Sequence, residues 1–545
     1  MKSNMENKKE TNNFKELIKI AERGNPNHIV YKFKKNSESE EPEYIEITYN
    51  RFKEDIKCMS TALLNLGLEN KRVALVGKNR YEWCISYLAA TTGNMVIVPL
   101  DAALPNNELE LLIERSEATA IIYEEKYSEV IRNIKNNKDT NLETLISMDE
   151  TDKAEEIYFW DLVKKGKKLV KEGNSSYENI EVDPYKMSVM LFTSGTTNAP
   201  KAVMLSQSNI CLNVEAIYNY VKLKPTDTLL SFLPMHHTFE CTITFLFGLY
   251  NGATVAFSDG LRYIQKNIKE YKVSVFVAVP VILETMYKKI QKALEANIPI
   301  QAILGEDLRI VLYGAAPMNK DTIIGYNKLG IELIQGYGLT ETSPVIACET
   351  TEQKNPGSVG LPLYNLEVKI DNPDKEGVGE ILVKGPSVMI GYYKNEEETK
   401  KVLKDGWFYT GDYGYFDKDK FLYVTGRKKD VIVLRNGKNV YPQEIEFLIN
   451  KIPYIMESLV YQREQDSTDT MLCAKIVYSE ELIKEVLGTK TEEEYKEIIW
   501  KEIKEINKNL PIYKHIKKIT ITEKPLIKTT TQKVKRYEEL KNINV

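Results

Sequence analysis

Four stretches of the chain gather hydroxyls, carboxylates, small residues and cations in ways that suit a phosphorylated ligand. The first is Met190 to Lys201, MLFTSGTTNAPK, where an apolar run breaks into Thr193, Ser194, Gly195, Thr196 and Thr197 and then reaches Lys201 through Pro200. Hydroxyls, exposed backbone N–H groups and an ammonium on one loop are the groups that hold phosphate oxygens. A Walker A loop does not fit, because GxxxxGK[ST] must feed straight into a helix, and here the next helix is expected near Ser206. The second and third stretches are Tyr313-Gly314-Ala315-Ala316-Pro317 and Gln335-Gly336-Tyr337-Gly338-Leu339-Thr340-Glu341-Thr342. Their small residues let a flat ring approach backbone, Tyr337 can stack on a base, Thr340 can meet a phosphate and Glu341 can hold a divalent cation. The fourth, Tyr409-Thr410-Gly411-Asp412, offers a carboxylate able to accept from two ribose hydroxyls. Each of these alone also reads as a turn capped by Asp or Thr.

The elements around these stretches set the fold class. Apolar runs at 72–77, 95–101, 189–192, 229–233, 254–257, 273–279 and 309–312 read as strands, and amphipathic or apolar segments at 48–66, 81–92, 261–271, 281–294 and 319–329 as helices. This alternation predicts α/β layers with largely parallel sheets and ligand sites at strand ends. Lys- and Asn-rich sequence at 124–180 interrupts the rhythm and is expected to be a surface excursion, its KKGKK run a solvated face. Between about 360 and 426 shorter Gly-punctuated runs, among them GEILVKG, GYYKN and WFYTGDYGYF, predict a small β subdomain. The expected division is therefore a large N-terminal domain, 1–426, and a small mobile α+β C-terminal domain, 427–545, hinged at the polar, Gly-led join Arg427–Asp430.

At 545 residues, with a formal net charge of -4 and pI near 6.0, the chain has no global attraction to nucleic acid or to an anionic membrane. Its six Cys form no CxxC pair and its four His show no metal-ligand spacing, which suits a reducing cytoplasm. No export signal and no transmembrane segment are expected.

Taken in order, TSGTT-x-x-PK, YGLTET, YTGD, GRKKD with KNVYPQEIE, and KTTTQKVKR resemble the adenylate-forming superfamily of acyl-CoA synthetases, peptide-synthetase adenylation domains and luciferase, over roughly residues 48 to 537. Within it, the length, LPMHHTFE and NGKNVYPQEIE are most similar to bacterial long-chain fatty acid:CoA ligases. The resemblance implies ATP, Mg²⁺ and coenzyme A as cofactors and a fatty acid as substrate. Thr193, Ser194, Gly195, Thr196, Thr197 and Lys201 would then cradle the β and γ phosphates, with Thr193 and Glu341 on Mg²⁺. Gly314, Ala315, Ala316, Gln335, Gly336, Tyr337, Gly338 and Thr340 would flank adenine and the phosphates, while Asp412 and Arg427 take the ribose. His237 and Phe239 would line the acyl entrance. Lys533 would bridge the substrate carboxylate and the α-phosphate, and rotation about Lys429 would bring Gly437 and Lys438 to the pantetheine arm and phosphates of CoA.

Three residues depart from the superfamily pattern: Asn198 and Ala202 stand where Gly is usual in the loop, and Gln532 where Gly usually precedes Lys533. Ala202 would crowd the loop if its φ were positive. An acyl carrier protein could replace CoA as acceptor. An amino-acid adenylating enzyme would use Glu240 for the substrate amine, and a nucleotide sensor would dispense with Lys533 and Glu341. Peripheral membrane contact and a homodimer are both compatible with the sequence.

Overall fold

The computed structural model describes residues 11–22, 25–35, 42–137, 140–193, 200–314, 316, 318–434, 438–464, 470–528 and 534–543. The chain divides into two compact units, Met1–Glu367 with Val383–Phe408, and Val368–Leu382 with Tyr409–Val545.

Among the described residues, the first unit builds two large sheets. One runs Gly391–Tyr392, Lys201–Ser206, Met187–Thr193, Val96–Leu100, Arg72–Val76, Ala120–Tyr123, Thr144–Ser147, Glu156–Tyr158. Its pairs from Met187–Thr193 to Glu156–Tyr158 are all parallel, while Lys201–Ser206 returns antiparallel beside Met187–Thr193 and Gly391–Tyr392 closes the edge. The other runs Leu361–Pro362, Val345–Cys348, Glu332–Gly338, Ile310–Tyr313, Val275–Ala278, Thr228–Ser231, Thr254–Phe257, Ile29–Lys34, Tyr44–Thr48, parallel throughout its centre and antiparallel at both ends. Parallel pairing sends the carboxyl ends of neighbouring strands to one edge, and at or just past those ends stand Asp101 and Thr193 in the first sheet, Ser231, Gly314 and Gly338 in the second.

Helix Tyr81–Thr92 is apolar on all sides and buried at every residue except Glu82, as a helix without a polar face must be. Its Trp83 and Tyr87 rings meet Phe245 edge to face at 6.3 and 5.9 Å. The expected surface excursion at 124–180 is corrected. Thr144–Ser147 and Glu156–Tyr158 extend the first sheet in parallel, and helix Phe159–Lys171 packs on helix Tyr49–Asn65. Strands of four and three residues are too short to show an alternating pattern in sequence. The KKGKK lysines do face solvent, but the glycine among them is buried, and a Cβ on Gly166 would sit 1.8 Å from the Cys58 carbonyl oxygen.

In the second unit, helices Pro442–Ile449 and Glu492–Lys508 bury Ile445, Ile449, Ile499 and Ile503 against the sheet Ile455–Glu464, Thr470–Tyr478, Ile516–Thr522. A capping box at Thr491 and Glu494 starts the longer helix. The chain is thus α/β, with a large sheet-rich N-terminal part and a smaller C-terminal one, as the alternation and the later change of character predict. No helix among the described residues is long and apolar enough to cross a membrane.

Candidate active site

Strand Met187–Thr193 ends on Thr193, whose hydroxyl faces the Lys201 carbonyl oxygen at 3.4 Å across a hairpin. Ser194, Gly195, Thr196, Thr197 and Asn198, between the two strands, lie outside the described residues. Sequence reading carried the loop directly to the helix near Ser206; the structure inserts strand Lys201–Ser206, and helix Gln207–Tyr218 then starts on a capping box at Ser206. Ala202 sits in that strand opposite Phe192, where the backbone is extended and its methyl group meets no left-handed strain. The condition for crowding, a positive φ at Ala202, is not met.

Lys201 Nζ lies 2.6 Å from Glu398 Oε2 and 4.8 Å from the centre of the Tyr392 ring. The Tyr392 hydroxyl in turn donates to Glu341 Oε1 at 2.9 Å. A cation, an aromatic ring and a carboxylate are therefore joined in a row, linking two residues that sequence motifs placed 140 positions apart. Neither Tyr392 nor Glu398 was singled out from the sequence. Strand Gly391–Tyr392 places the first by pairing with Val203 and Met204, and Asn395 caps the turn of helix that presents the second.

Glu341 sits on the turn Thr340–Thr342, which packs against strand Lys201–Ser206. Helix Gln207–Tyr218 fixes this turn through Asn213. Its Nδ2 donates to the Thr342 and Val345 carbonyls at 3.4 and 2.8 Å, and the Val345 N–H donates to its Oδ1 at 3.2 Å. One helical turn earlier Asn209 Nδ2 donates to the Pro386 and Val388 carbonyls at 2.6 and 3.0 Å. Two polar residues at i and i+4 amid Ile210, Cys211 and Val214 were the sequence signal for this scaffold.

The small-residue stretches come together as adjacent parallel strand ends. A Cβ on Gly314 would lie 2.8 Å from the Gly336 carbonyl oxygen and 3.8 Å from Phe239 Cζ, so this wall is flat backbone with one ring against it. A Cβ on Gly338 would fall 1.8 Å from the Pro344 carbonyl oxygen. Ala316 is exposed, Ala315 lies outside the described residues, and Tyr337 and Thr340 are half-buried. The Tyr313 hydroxyl donates to Gln335 Oε1 at 2.9 Å, the Gln335 N–H donates to Glu349 Oε2 at 2.9 Å, and the Glu349 N–H donates to the Gln335 carbonyl at 2.9 Å. The Glu349 carboxyl is pushed up to about 7 by burial.

His237 is half-buried and accepts the Phe239 N–H at Nδ1, 3.3 Å, in the turn before a π-helical run, Glu240–Phe247. Asn79 holds that turn, donating to Ser231 Oγ and the Leu233 carbonyl at 2.8 and 2.7 Å and accepting from Met235 N–H at 3.1 Å. The neighbouring His236, unremarked in sequence, is 3.6 Å from Asp101, and its burial pulls its pKa down against the pull of that carboxylate. Glu240, weighed from sequence as a partner for a substrate amine, is fully buried and accepts from Ser231 at 2.6 Å and Thr244 at 2.9 Å. Burial pushes its carboxyl up to about 8, so it is held neutral inside the π-helix and presents no surface to an amine.

This carries a sign for stability. The folded pKa of Glu240 is above the ordinary carboxyl value of 4.5, so the unfolded chain releases this proton first and folding loses stability as pH rises from about 4.5 toward about 8. Glu240→Gln, which cannot ionise, is expected to gain stability relative to the parent across that window. Thermal unfolding at pH 5 and pH 8 checks it, and parallel curves for the two proteins would refute a buried neutral acid here.

Strands Trp407–Phe416 and Leu422–Arg427 pair Asp412 with Arg427, both residues of the second unit, and Arg427 Nε lies 2.8 Å from Asp412 Oδ1. The Asp412 side chain is 5% exposed and that of Arg427 39%, so the acid is held in a buried place by a cation that reaches the surface. Lys428 is pinned to Glu380 at 2.6 Å, while Lys429 is exposed on the turn Lys428–Asp430. Lys438 stands 4.3 Å over the Tyr513 ring. Gly437 and Lys533 lie outside the described residues.

Two family models match successive parts of the chain. Residues 19–393 match the family described as AMP-binding enzyme, and residues 429–543 match AMP-binding enzyme C-terminal domain. Fatty acyl-CoA synthetase B of Dictyostelium discoideum is 29% identical over 535 residues, covering 87% of this chain and 77% of that protein. A putative acyl–CoA ligase of Bacillus subtilis (strain 168) is 30% identical over 431 residues, 76% and 80% of the two chains. Among solved structures, an anthranilate CoA ligase bound to anthranoyl-AMP superposes with TM-score 0.81 at 20% identity over 97% of each chain. ATP-bound MatB from Rhodopseudomonas palustris gives 0.79 at 23% over 97% and 98%. At these identities the structures speak for the fold.

Proposed function

Because this chain belongs to the AMP-binding enzyme family, we propose that it joins fatty acids to coenzyme A in two steps through an acyl adenylate. A carboxylate oxygen attacks the α-phosphorus of ATP, the bond to the β-phosphate oxygen breaks and pyrophosphate leaves. The CoA thiolate then attacks the acyl carbon, the carbon–oxygen bond to the adenylate breaks and AMP leaves. Little covalent chemistry is asked of side chains, so positioning and charge neutralisation carry the catalysis.

The observation that carries this reading is the row Lys201–Tyr392–Glu341 beside the hydroxyl-bearing Thr193. It offers an ammonium for the terminal phosphates and a carboxylate for a cation at one strand edge. The donor set suits Mg²⁺: one carboxylate and one hydroxyl, with no cluster of three metal-binding side chains among the described residues. Mg²⁺ takes one or two carboxylates and completes its shell with phosphate oxygens and water. When bound it would neutralise charge on the phosphates. Gly314, Gly336 and Tyr337 would receive adenine against flat backbone, and Asp412, oriented by Arg427, would accept from the ribose hydroxyls. Phe239 and His237 would face the acyl carboxylate. Lys533 would meet charge accumulating at the α-phosphate, and Lys429, Gly437 and Lys438 would serve the CoA step. A thiol of pKa about 8.5 is already a few per cent thiolate at neutral pH and needs no dedicated base.

Pyrophosphate release measured with ATP and Mg²⁺ over acids from acetate to palmitate, amino acids included, tests the substrate class. Release should peak at medium or long fatty acids and rise with CoA. A peak at an amino acid, or release indifferent to CoA, would overturn the reading.

A further inference from the structure

Glu398 bridges two cations. Its Oε2 is 2.6 Å from Lys201 Nζ and its Oε1 2.8 Å from Lys401 Nζ. Lys201 is 19% exposed and Lys401 56%, so one partner belongs to the site and the other to the surface. Hydrogen bonds from Lys201 and then Lys401 hold the carboxyl down at about 2, which keeps it anionic at any working pH. Its placement is built in by backbone: Glu398 N–H donates to Asn395 Oδ1 at 3.1 Å, and the segment follows strand Gly391–Tyr392, which pairs with the strand that Lys201 begins.

We propose that Glu398 is a resident counter-anion for Lys201 that competes with the nucleotide's terminal phosphates, so that it sets the affinity for ATP. This rests on assigning Lys201 to those phosphates. A carboxylate 2.6 Å from the ammonium cancels its charge and repels an arriving phosphate. When Lys201 turns to the phosphate, Lys401 keeps Glu398 paired, so the exchange strands no buried charge. Lys201 is thus a gated cation, neutralised until a stronger anion displaces the carboxylate, and the ring of Tyr392 4.8 Å away remains its support in both arrangements.

The test is calorimetric titration of the full chain with MgATP and, separately, with AMP. Glu398→Gln is expected to lower the Kd for MgATP about three- to tenfold, the range set by releasing one or two exposed-to-half-buried ion pairs. The Kd for AMP, which lacks the terminal phosphates, should stay within twofold on the same basis. Glu398→Asp retains the charge and should bind MgATP like the parent, which guards against a folding artefact in the Gln variant. Lys201→Ala should bind MgATP more weakly, and adding Glu398→Gln to it should give no further tightening. MgATP binding by Glu398→Gln that is unchanged or weaker overturns the proposal, as does tightening that persists without Lys201. Binding by Lys201→Ala as tight as by the parent would instead remove the underlying assignment of Lys201.

Discussion

Lys533→Ala is expected to slow acyl-adenylate formation by about 10² to 10³, the loss typical of one preorganised electrostatic donor. The assignment comes from the C-terminal lysine motif; Lys533 itself lies outside the described residues, and those on either side of it are tied into the second unit. Lys528 and Val534 form an antiparallel bridge, and Lys535 N–H donates to the Ile527 carbonyl at 2.8 Å. Arg536 grips Glu446 in a two-point pair at 2.7 and 2.9 Å. Glu539, 2% exposed, accepts from Ile527 N–H and from Lys475, both at 2.7 Å. Single-turnover pyrophosphate release reads the first step, and thiolysis of added acyl adenylate by CoA reads the second. The variant should be slow only in the first; equal slowing of both steps, or of neither, would contradict the role.

The second large effect concerns a residue that touches no substrate. Asn213→Leu would remove the partners of two carbonyls and one N–H in a fully buried position. Each orphaned buried group costs about 1–3 kcal/mol, so a loss of roughly 3–5 kcal/mol in unfolding free energy is expected once partial relaxation is allowed for. The same change loosens the turn that carries Glu341. Activity should therefore fall at temperatures where the variant remains folded, and excess Mg²⁺ should restore part of it. Urea unfolding measures the first effect and the Mg²⁺ dependence of pyrophosphate release the second. A variant as stable as the parent, or one whose lost activity ignores Mg²⁺, would show that Asn213 does not hold the turn.

The fold was legible where apolar runs were long. Helix Tyr81–Thr92 begins and ends where the sequence places it, and the central strands of both sheets lie within a residue or two of their apolar runs. It was illegible where elements were short or mixed. Strand Lys201–Ser206 starts on a lysine, ends on a serine and follows a proline, so nothing local marks it as the return arm of a hairpin. Residue types pointed to Thr193, Lys201, Glu341 and Asp412, because phosphate, cation and ribose chemistry demands those groups. The partners that set their geometry escaped notice for a physical reason: Tyr392 and Glu398 reach Lys201 only through sheet pairing nearly 200 positions away. Asn79 was equally silent, since its three hydrogen bonds join a loop of one sheet to a strand end of the other. Glu240 drew notice only as the carboxylate that a rival amino-acid reading would need, because sequence shows a carboxylate and only packing shows that it is sealed.

The most direct measurement is the fate of oxygen in the first step. A long-chain fatty acid carrying ¹⁸O in both carboxyl positions, turned over with ATP, Mg²⁺ and CoA, should transfer one labelled oxygen to AMP and none to pyrophosphate, because the attacking carboxylate oxygen stays on the α-phosphorus when the thiolate cleaves the acyl bond. Label in inorganic phosphate, or AMP free of label alongside acyl-CoA, would show that the acyl group is activated by another route and would contradict the acyl-adenylate account.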